Sequence, residues 1–325
     1  MQINPNDLYN KIDKMFSVDE PIPYYVQGKS IVTSVYDKEF ATGYVLLREL
    51  TRLNNTLPIE VFFRDEELSL KQIKILTNIA PDTITVKKIQ GTAKNFTTQY
   101  GTTAGWSTKI YALYESVYAE NLWIDSDNFP IENPEELFND EEYKSKHSLF
   151  WRDVVSIDRA NRYHDGAAIW PVFNVTPNDA EPFETGQFLI NKPHCWQQFR
   201  LVKYYADNCE VYYNFGGDAE TFRMAWQHYH LRTGGKIWHI NAQSDSTTPY
   251  GFIPFGPFHK GIPNIYNKWG GGTVMVQRNR FGAELFNHRN INKMNLHKNV
   301  WNWDIKNEEY YHRHIKELLG ILKDG

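Results

Sequence analysis

The sequence predicts an α/β fold in which helices flank a mostly parallel central sheet. Two observations indicate it: short apolar runs alternate with amphipathic helical patterns through residues 30–89, and a later apolar run ends in two aspartates. The β-α-β-α-β order is typical of a Rossmann-like sheet, because parallel strands need crossover connections that helices usually supply. The chain contains no G-x-G-x-x-G sequence, so the usual signature of dinucleotide binding is missing.

Apolar periodicity and the residues that interrupt it set the predicted elements. Ser69 and Ser107 are predicted N-caps, because each precedes a run with apolar residues at spacings of three and four. Beyond residue 134 the pattern is less regular, and we expect loops with short strands at 149–151, 168–173 and 188–190. The remaining predicted strands are 30–36, 59–63, 83–89 and 121–124, and the predicted helices are 46–53, 69–80, 107–118 and 219–227.

Composition excludes several classes of protein. The chain has 325 residues and a net charge of -4, and it lacks the basic run expected of a nucleic-acid surface. Its two cysteines cannot form a disulfide framework, and no Cys/His spacing indicates zinc. The aromatic content, 10 Trp, 20 Tyr and 19 Phe, exceeds what is usual and is compatible with carbohydrate binding as well as with core packing.

Asp125 and Asp127 are the most informative feature. They follow the apolar run 121–124 and stand two positions apart, so both side chains point the same way off the end of a strand. Two carboxylates presented together suit a hard cation, Mg²⁺ or Mn²⁺, that also holds a diphosphate. Because open α/β sheets bind ligands at the carboxyl ends of strands, the pattern predicts the metal site of a nucleotide-sugar transferase. The alternative is a turn with two solvated aspartates.

Eight segments add a resemblance to a known family. In order, they are GKSIVT (28–33), LPIEV (57–61), GWSTK (105–109), LWIDSDN (122–128), NPEELF (133–138), ETGQ (184–187), GDAETFR (217–223) and LFNHRN (285–290). With them, over roughly residues 28–295, the chain resembles the fungal MNN-type α-mannosyltransferases. The resemblance implies a GT-A fold, a divalent metal, a nucleotide-sugar donor (GDP-mannose in the fungal members), a glycan acceptor and retention of the anomeric configuration.

One continuous domain, 1–325, is the simplest organisation, since no linker, repeat or low-complexity stretch divides the chain. Within it, 1–130 is expected to bind the nucleotide sugar, and 131–325 to bind the acceptor and complete the metal site. No signal-peptide core or membrane-spanning run is found. This favours the cytoplasm, or the Golgi lumen if the chain is a truncated form of an anchored fungal-type enzyme.

The third metal ligand must come from far along the chain. We expect Asp127 to bind the metal directly, and Asp125 to bind it through water or to hold the donor ribose, because a metal on a diphosphate retains waters. His288 is the favoured third ligand, since Lys293 follows five residues later and an ammonium group there could reach the phosphates. His259, in a glycine-flanked loop, is the rival.

Other residues are assigned to the donor. Thr33, Ser34 and Tyr36 end the first strand at the edge where base and ribose should lie, and Tyr36 either stacks on the base or covers the core. Lys109 lies in the first turn of the helix before the acidic pair, so its ammonium can reach the donor's charged or sugar groups. Its alternative role is that of a solvated helix lysine.

Glu184 and Asp218 are the carboxylates expected near the reacting sugar. Glu184 precedes Thr185-Gly186 and a strand, while Asp218 follows two glycines and begins a predicted helix, so it could instead serve as an N-cap. In a retaining transfer, either a carboxylate forms a glycosyl-enzyme or the leaving phosphate assists attack on the same face; the sequence leaves both open.

The prediction is therefore a metal-dependent retaining glycosyltransferase, with mannosyl transfer from GDP-mannose favoured. Two alternatives stay open at this point. One is the same fold with a UDP-sugar donor. The other is a glycan-binding module without catalysis, in which the aromatic residues bind sugar and the acids have lost their role.

Overall fold

The computed structural model describes residues 4–18, 20–91, 97–98, 101–102, 106–152, 183–212, 217–233, 250–252, 275–278, 283–289, 293–294, 296 and 305–324. The strands within these ranges are β1 (Val26–Ser34), β2 (Ile59–Phe63), β3 (Ile84–Lys88), β4 (Thr97–Thr98), β5 (Gly101–Thr102), β6 (Tyr118–Ile124), β7 (Asn128–Pro130), β8 (Ser148–Arg152), β9 (Phe183–Asn191), β10 (Tyr250–Phe252), β11 (Met275–Arg278) and β12 (Glu284–His288).

The helices are mostly those of an α/β fold. In chain order they are α1 (Pro5–Ser17), α2 (Phe40–Arg52), α3 (Leu70–Thr77), α4 (Thr108–Glu115), α5 (Glu141–Lys146), α6 (Trp196–Asp207), α7 (Cys209–Tyr212), α8 (Asp218–Arg232) and α9 (Glu308–Asp324), with 3-10 turns at Asp37–Glu39 and Pro134–Asn139. Among the described helices, none is both long and apolar enough to cross a membrane.

The central sheet has six strands in the order β3-β2-β1-β6-β9-β8. The first four are parallel, while β9 runs antiparallel to both β6 and β8. The predicted mostly parallel sheet is thus confirmed, and strands from both halves of the chain build it. Because β9 is reversed, its first residues meet the carboxyl end of β6, and this places 184–186 beside the acidic pair.

Each face of the sheet carries its own apolar layer, as alternation along buried strands requires. Val32, Trp123 and Phe188 pack with α1, α4, α6 and α8. Their neighbours Ile31, Leu122 and Leu189 pack with α2, α3 and α9 on the other face. Because both faces of the sheet are buried, the ends of its strands are held in place at the carboxyl edge.

A second, four-stranded sheet has the order β10-β11-β12-β7. Its antiparallel pairing of β12 with β7 sets His288 opposite Asn128, directly after the acidic pair. This long-range pairing brings the end of the chain to the edge of the central sheet.

Several predicted boundaries are corrected by the structure. The first strand starts at Val26 and ends at Ser34, so Tyr36 lies beyond it. The predicted helix 107–118 ends at Glu115, because the buried Ser116 hydroxyl donates to Glu60 at 2.5 Å and Tyr118 already begins β6. Ser69 forms a full capping box with Gln72 as an N-cap should. The predicted strand 168–173 lies outside the described residues.

Candidate active site

The acidic pair stands at the carboxyl end of β6. The Asp125 amide donates to the Gly186 carbonyl at 2.7 Å, which ties the start of β9 to this turn. The Asp125 carboxylate accepts from the Trp123 indole at 2.6 Å and remains 28% exposed. Asp127 is 6% exposed and points inward. The two acids therefore share one edge, as the strand pattern predicts, but only Asp125 borders solvent substantially.

His288 reaches Asp127 through the pairing of β12 with β7. Its Nε2 lies 3.4 Å from Asp127 Oδ1, and its Nδ1 lies 3.7 Å from Glu184 Oε1. The next residue along, Arg289, donates its amide to the Asp127 carbonyl at 2.8 Å. His288 is thus held beside the acidic pair by backbone on both sides. His259, its rival, lies outside the described residues.

These three side chains fit a divalent cation. Asp125, Asp127 and His288 each offer one ligand atom, and the three atoms lie within 4.8 Å of one another. A divalent cation binds oxygen and nitrogen at about 2.0–2.2 Å, so two atoms 3.4 Å apart can share it. Two carboxylates and one imidazole suit Mn²⁺ in particular, because imidazole is a better ligand for transition metals than for Mg²⁺.

Positive charge surrounds Asp127. Burial favours the neutral carboxyl, but Lys293 and His288 outweigh burial and hold the pKa of Asp127 well below its ordinary value of 3.8. Burial likewise disfavours a charged imidazole, yet Asp127, with Glu184 adding to it, raises the pKa of His288 to about 9. The site therefore pairs a fixed anion with two cationic groups.

Lys109 connects the acidic pair to Asp218 and to the start of β9. Its Nζ donates to Asp218 Oδ2 at 2.5 Å and to the Thr185 carbonyl at 2.6 Å, and it lies 3.2 Å from Asp125 Oδ1. Burial opposes the charge on Lys109, but Asp125 and Asp218 raise its pKa above 10.5. The alternative role of a solvated helix lysine is wrong, since Lys109 is buried.

Asp218 is the first residue of α8, and Gly217 occupies the N-cap position. The alternative role of Asp218 as the N-cap is therefore wrong. Its Oδ2 also accepts from the Thr185 hydroxyl at 3.1 Å. Glu184 lies on the other side of Thr185 and accepts from the Gly186 amide at 2.7 Å. The two predicted catalytic carboxylates thus flank the same short stretch of β9.

Glu39 is a member of the site that sequence reasoning missed. Its carboxylate accepts from Tyr36 Oη at 2.9 Å and from Ser126 Oγ at 2.7 Å, and it forms an ion pair with Lys293. Lys293 Nζ also lies 2.8 Å from Asp127 Oδ2. The signal available in the sequence is position: Glu39 follows β1 at the edge where the other strands end.

The three residues predicted to bind the base and ribose, at the end of β1 and just after it, differ in their exposure to solvent. Thr33 is fully buried, and its hydroxyl has no hydrogen-bond partner among the residues that the structure describes. Ser34 is the last residue of β1, and Tyr36 is 37% exposed beside Glu39. Of this group, Tyr36 presents the most side-chain surface to a ligand.

This fold is that of the GT-A glycosyltransferases, and comparison with known proteins supports it. The galactosyltransferase LgtC, solved with donor and acceptor sugar analogues, superimposes with a TM-score of 0.56 at 12% identity, covering 89% of this chain and 95% of that one. A structure of an active-site mutant of LgtC gives the same TM-score at 13% identity, with the same coverage of both chains.

The resemblance to MNN-type mannosyltransferases is also confirmed. The mannosyltransferase family model Mannosyl_trans3 matches residues 28–181. The α-1,2-mannosyltransferase MNN2 of Saccharomyces cerevisiae is 24% identical over 330 residues, covering 83% of this chain and 54% of that protein. MNN22 of Candida albicans is 22% identical over 307 residues, covering 81% and 48%. The chain spans about half the length of these curated relatives.

Proposed function

We propose that this chain is a metal-dependent retaining glycosyltransferase that transfers mannose from GDP-mannose to a glycan acceptor with an α linkage. The observation that carries the proposal is the grouping of Asp125, Asp127 and His288 within 4.8 Å at the carboxyl edge of a GT-A sheet. Two carboxylates and one imidazole at the ligand-binding edge of the sheet suit a divalent cation that also binds a diphosphate. A glycan-binding module without catalysis does not require a site for a metal-bound diphosphate.

The residues of the metal side have separate tasks. Asp125, Asp127 and His288 would hold Mn²⁺ or Mg²⁺, which when bound offsets the negative charge that grows on the departing diphosphate. Lys293 stays charged, because Asp127 and Glu39 outweigh burial and raise its pKa above 10.5. Its ammonium group can therefore leave one of these carboxylates and bind a phosphate oxygen of the donor instead. Tyr36 lies beside Lys293, so the nucleotide base is expected at that end.

The residues of the sugar side prepare the reacting carbon. Lys109 Nζ lies 2.5 Å from Asp218 Oδ2, and this ion pair holds the carboxylate beside Thr185. Glu184 stands across β9 from that pair. A carboxylate near the anomeric carbon stabilises an oxocarbenium-like transition state, whether it attacks directly or only compensates charge. Glu184 and Asp218 are the groups we propose for this role.

The choice of mannose rests on relatedness alone. The curated relatives are named as mannosyltransferases, and the family model is one of mannosyltransferases. GDP-mannose follows from the resemblance to the fungal members.

A donor screen tests the function. The purified chain is incubated with Mn²⁺, an α-mannoside acceptor and a panel of GDP- and UDP-sugars, and products are resolved by mass and by NMR of the anomeric centre. We expect α-linked mannosyl transfer from GDP-mannose that a chelator abolishes. Preferred turnover of a UDP-sugar would reassign the donor, and glycan binding without nucleotide binding would favour the non-catalytic module.

An Asp127→Ala variant links that activity to the site. Loss of one hard ligand should lower transfer by roughly 10²–10³-fold or more, with the fold retained. The matched control is Asp82→Ala, because Asp82 is exposed at the surface. Near-normal turnover of Asp127→Ala at limiting Mn²⁺ would refute the metal assignment.

A further inference from the structure

Trp106 is a large aromatic side chain left half exposed beside the site. Its side chain is 49% exposed, although it immediately precedes the buried Ser107 at the start of α4. The indole lies against Gly217, where a Cβ atom would stand 3.4 Å from both Cε3 and Cζ3. Because Gly217 has no side chain, the indole can lie close to the backbone immediately before Asp218.

The described contacts order the site from one end to the other. Lys293 Nζ is 2.8 Å from Asp127, and Asp127 is 3.4 Å from His288. On the far side of Asp125, Lys109 connects to Asp218, and Gly217 connects Asp218 to Trp106. Along this series of contacts the groups proposed for the phosphates come first, the carboxylate Asp218 proposed for the reacting sugar follows, and the exposed indole comes last.

We propose that Trp106 stacks on a pyranose ring of the acceptor glycan; this inference rests on the proposed function. A metal-bound diphosphate at Asp127 and Lys293 places the donor sugar over the carboxylates in the middle. The next position outward belongs to the acceptor. An aromatic face binds the C–H face of a pyranose because both are apolar, while the ring hydroxyls stay solvated.

The surface of the chain supports the choice of Trp106. Tyr24 is more exposed, at 91%, but it precedes β1 and lies at the opposite edge from the carboxyl ends of the strands. Tyr36 is exposed at the phosphate end, where its hydroxyl bonds Glu39. Among the exposed aromatic side chains that the structure describes, Trp106 is the one that borders Gly217 and hence the sugar end.

Steady-state kinetics of Trp106→Ala, Trp106→Phe and the control Tyr24→Ala test the proposal. Trp106→Ala should raise the KM for an α-mannoside acceptor about tenfold, and Trp106→Phe should recover much of that loss. Hydrolysis of the donor by water, and the KM for the donor, should stay unchanged, because neither uses the acceptor position. An unchanged acceptor KM, or a raised donor KM, would overturn the proposal.

Binding measured without turnover separates this inference from the proposed function. Saturation-transfer NMR with α-mannobiose, in the presence of Mn²⁺ and GDP, should show about tenfold weaker binding to Trp106→Ala than to wild type. If wild type binds the disaccharide and Trp106→Ala loses it, the stacking role stands even where no donor is turned over. If both proteins bind it equally, or neither binds it, the stacking role is refuted.

Discussion

Gly186 lies so close to the imidazole of His288 that a Cβ on residue 186 would stand 2.6 Å from its Cε1 and 2.7 Å from its Nδ1. Any side chain at residue 186 must therefore displace His288 or the start of β9. The absence of a side chain at this one position is a condition for the imidazole to reach Asp127.

The first prediction is that Gly186→Ala reduces Mn²⁺ affinity and transfer together, by roughly 10–100-fold, while the fold survives. Titration calorimetry with Mn²⁺ and an activity assay would measure this. The control is Gly320→Ala, since a Cβ at residue 320 in α9 meets nothing within 4 Å. That control should gain about 0.5–1 kcal/mol of stability from reduced backbone entropy. Unchanged Mn²⁺ affinity in Gly186→Ala would contradict the role of His288.

The second prediction separates His288 from Lys293. His288→Ala should weaken Mn²⁺ binding and transfer together, because it removes a ligand. Lys293→Ala should weaken binding of GDP, in the presence of saturating Mn²⁺, while Mn²⁺ affinity is preserved or increased, because it removes a cation that competes for Asp127. Calorimetry with the metal and then with the nucleotide measures both. If both variants lowered the affinity for Mn²⁺ equally, the separate assignment of His288 to the metal and of Lys293 to the diphosphate would be wrong.

The third prediction concerns the buried ion pair behind the site. Arg289, fully buried, donates to both oxygens of Glu308 at 2.5 and 2.7 Å. Arg289→Met leaves the carboxylate with His312 at 3.1 Å as a remaining partner, and should cost about 3–5 kcal/mol in the free energy of unfolding. Replacing both residues by Met should recover much of that loss. Urea denaturation measures it, and a cost below about 1 kcal/mol for the single variant would count against the pair.

The fourth prediction is a pH dependence of stability from Lys192. This side chain is fully buried and donates to the Leu113 and Ser116 carbonyls at 3.0 and 2.6 Å. Burial lowers its pKa from 10.5 to about 7, opposed by Glu60, and the Tyr25 ring lies 4.1 Å away. Between pH 7 and 9 the unfolded chain therefore holds a proton on Lys192 that the folded chain lacks.

Stability should consequently rise with pH in that window through Lys192, by at most about 1.4 kcal/mol per pH unit. Below pH 7 both states are protonated, so the contribution levels off. The measurement is the difference in unfolding free energy between wild type and Lys192→Met at pH 7 and pH 9, because other titrating groups then cancel. A difference that does not change with pH would show that Lys192 keeps its charge in the folded state.

The parts of the site that follow from local pattern could be predicted from the sequence. Asp125 and Asp127 could be predicted because a strand ends beside them, and Lys109 because it lies in the first turn of the preceding helix. The ion pair of Glu39 with Lys293 and the approach of Gly186 to His288 could not be predicted, since they depend on where the segment after β11 lies and on the reversal of β9. Hydrophobic periodicity specifies that a strand exists, but it does not specify which strand lies beside it.

The alternating side chains at the start of β9 determine which mutations the site can accept. Even-numbered positions, Glu184 and Gly186, face the imidazole of His288, while the odd-numbered Thr185 faces the Lys109 ammonium and Asp218. Alternation along one strand therefore places Glu184 and Gly186 on the side of His288, and Thr185 on the side of Lys109 and Asp218. A substitution can change one side alone, but the insertion or deletion of a single residue would exchange the two sides and break both sets of contacts.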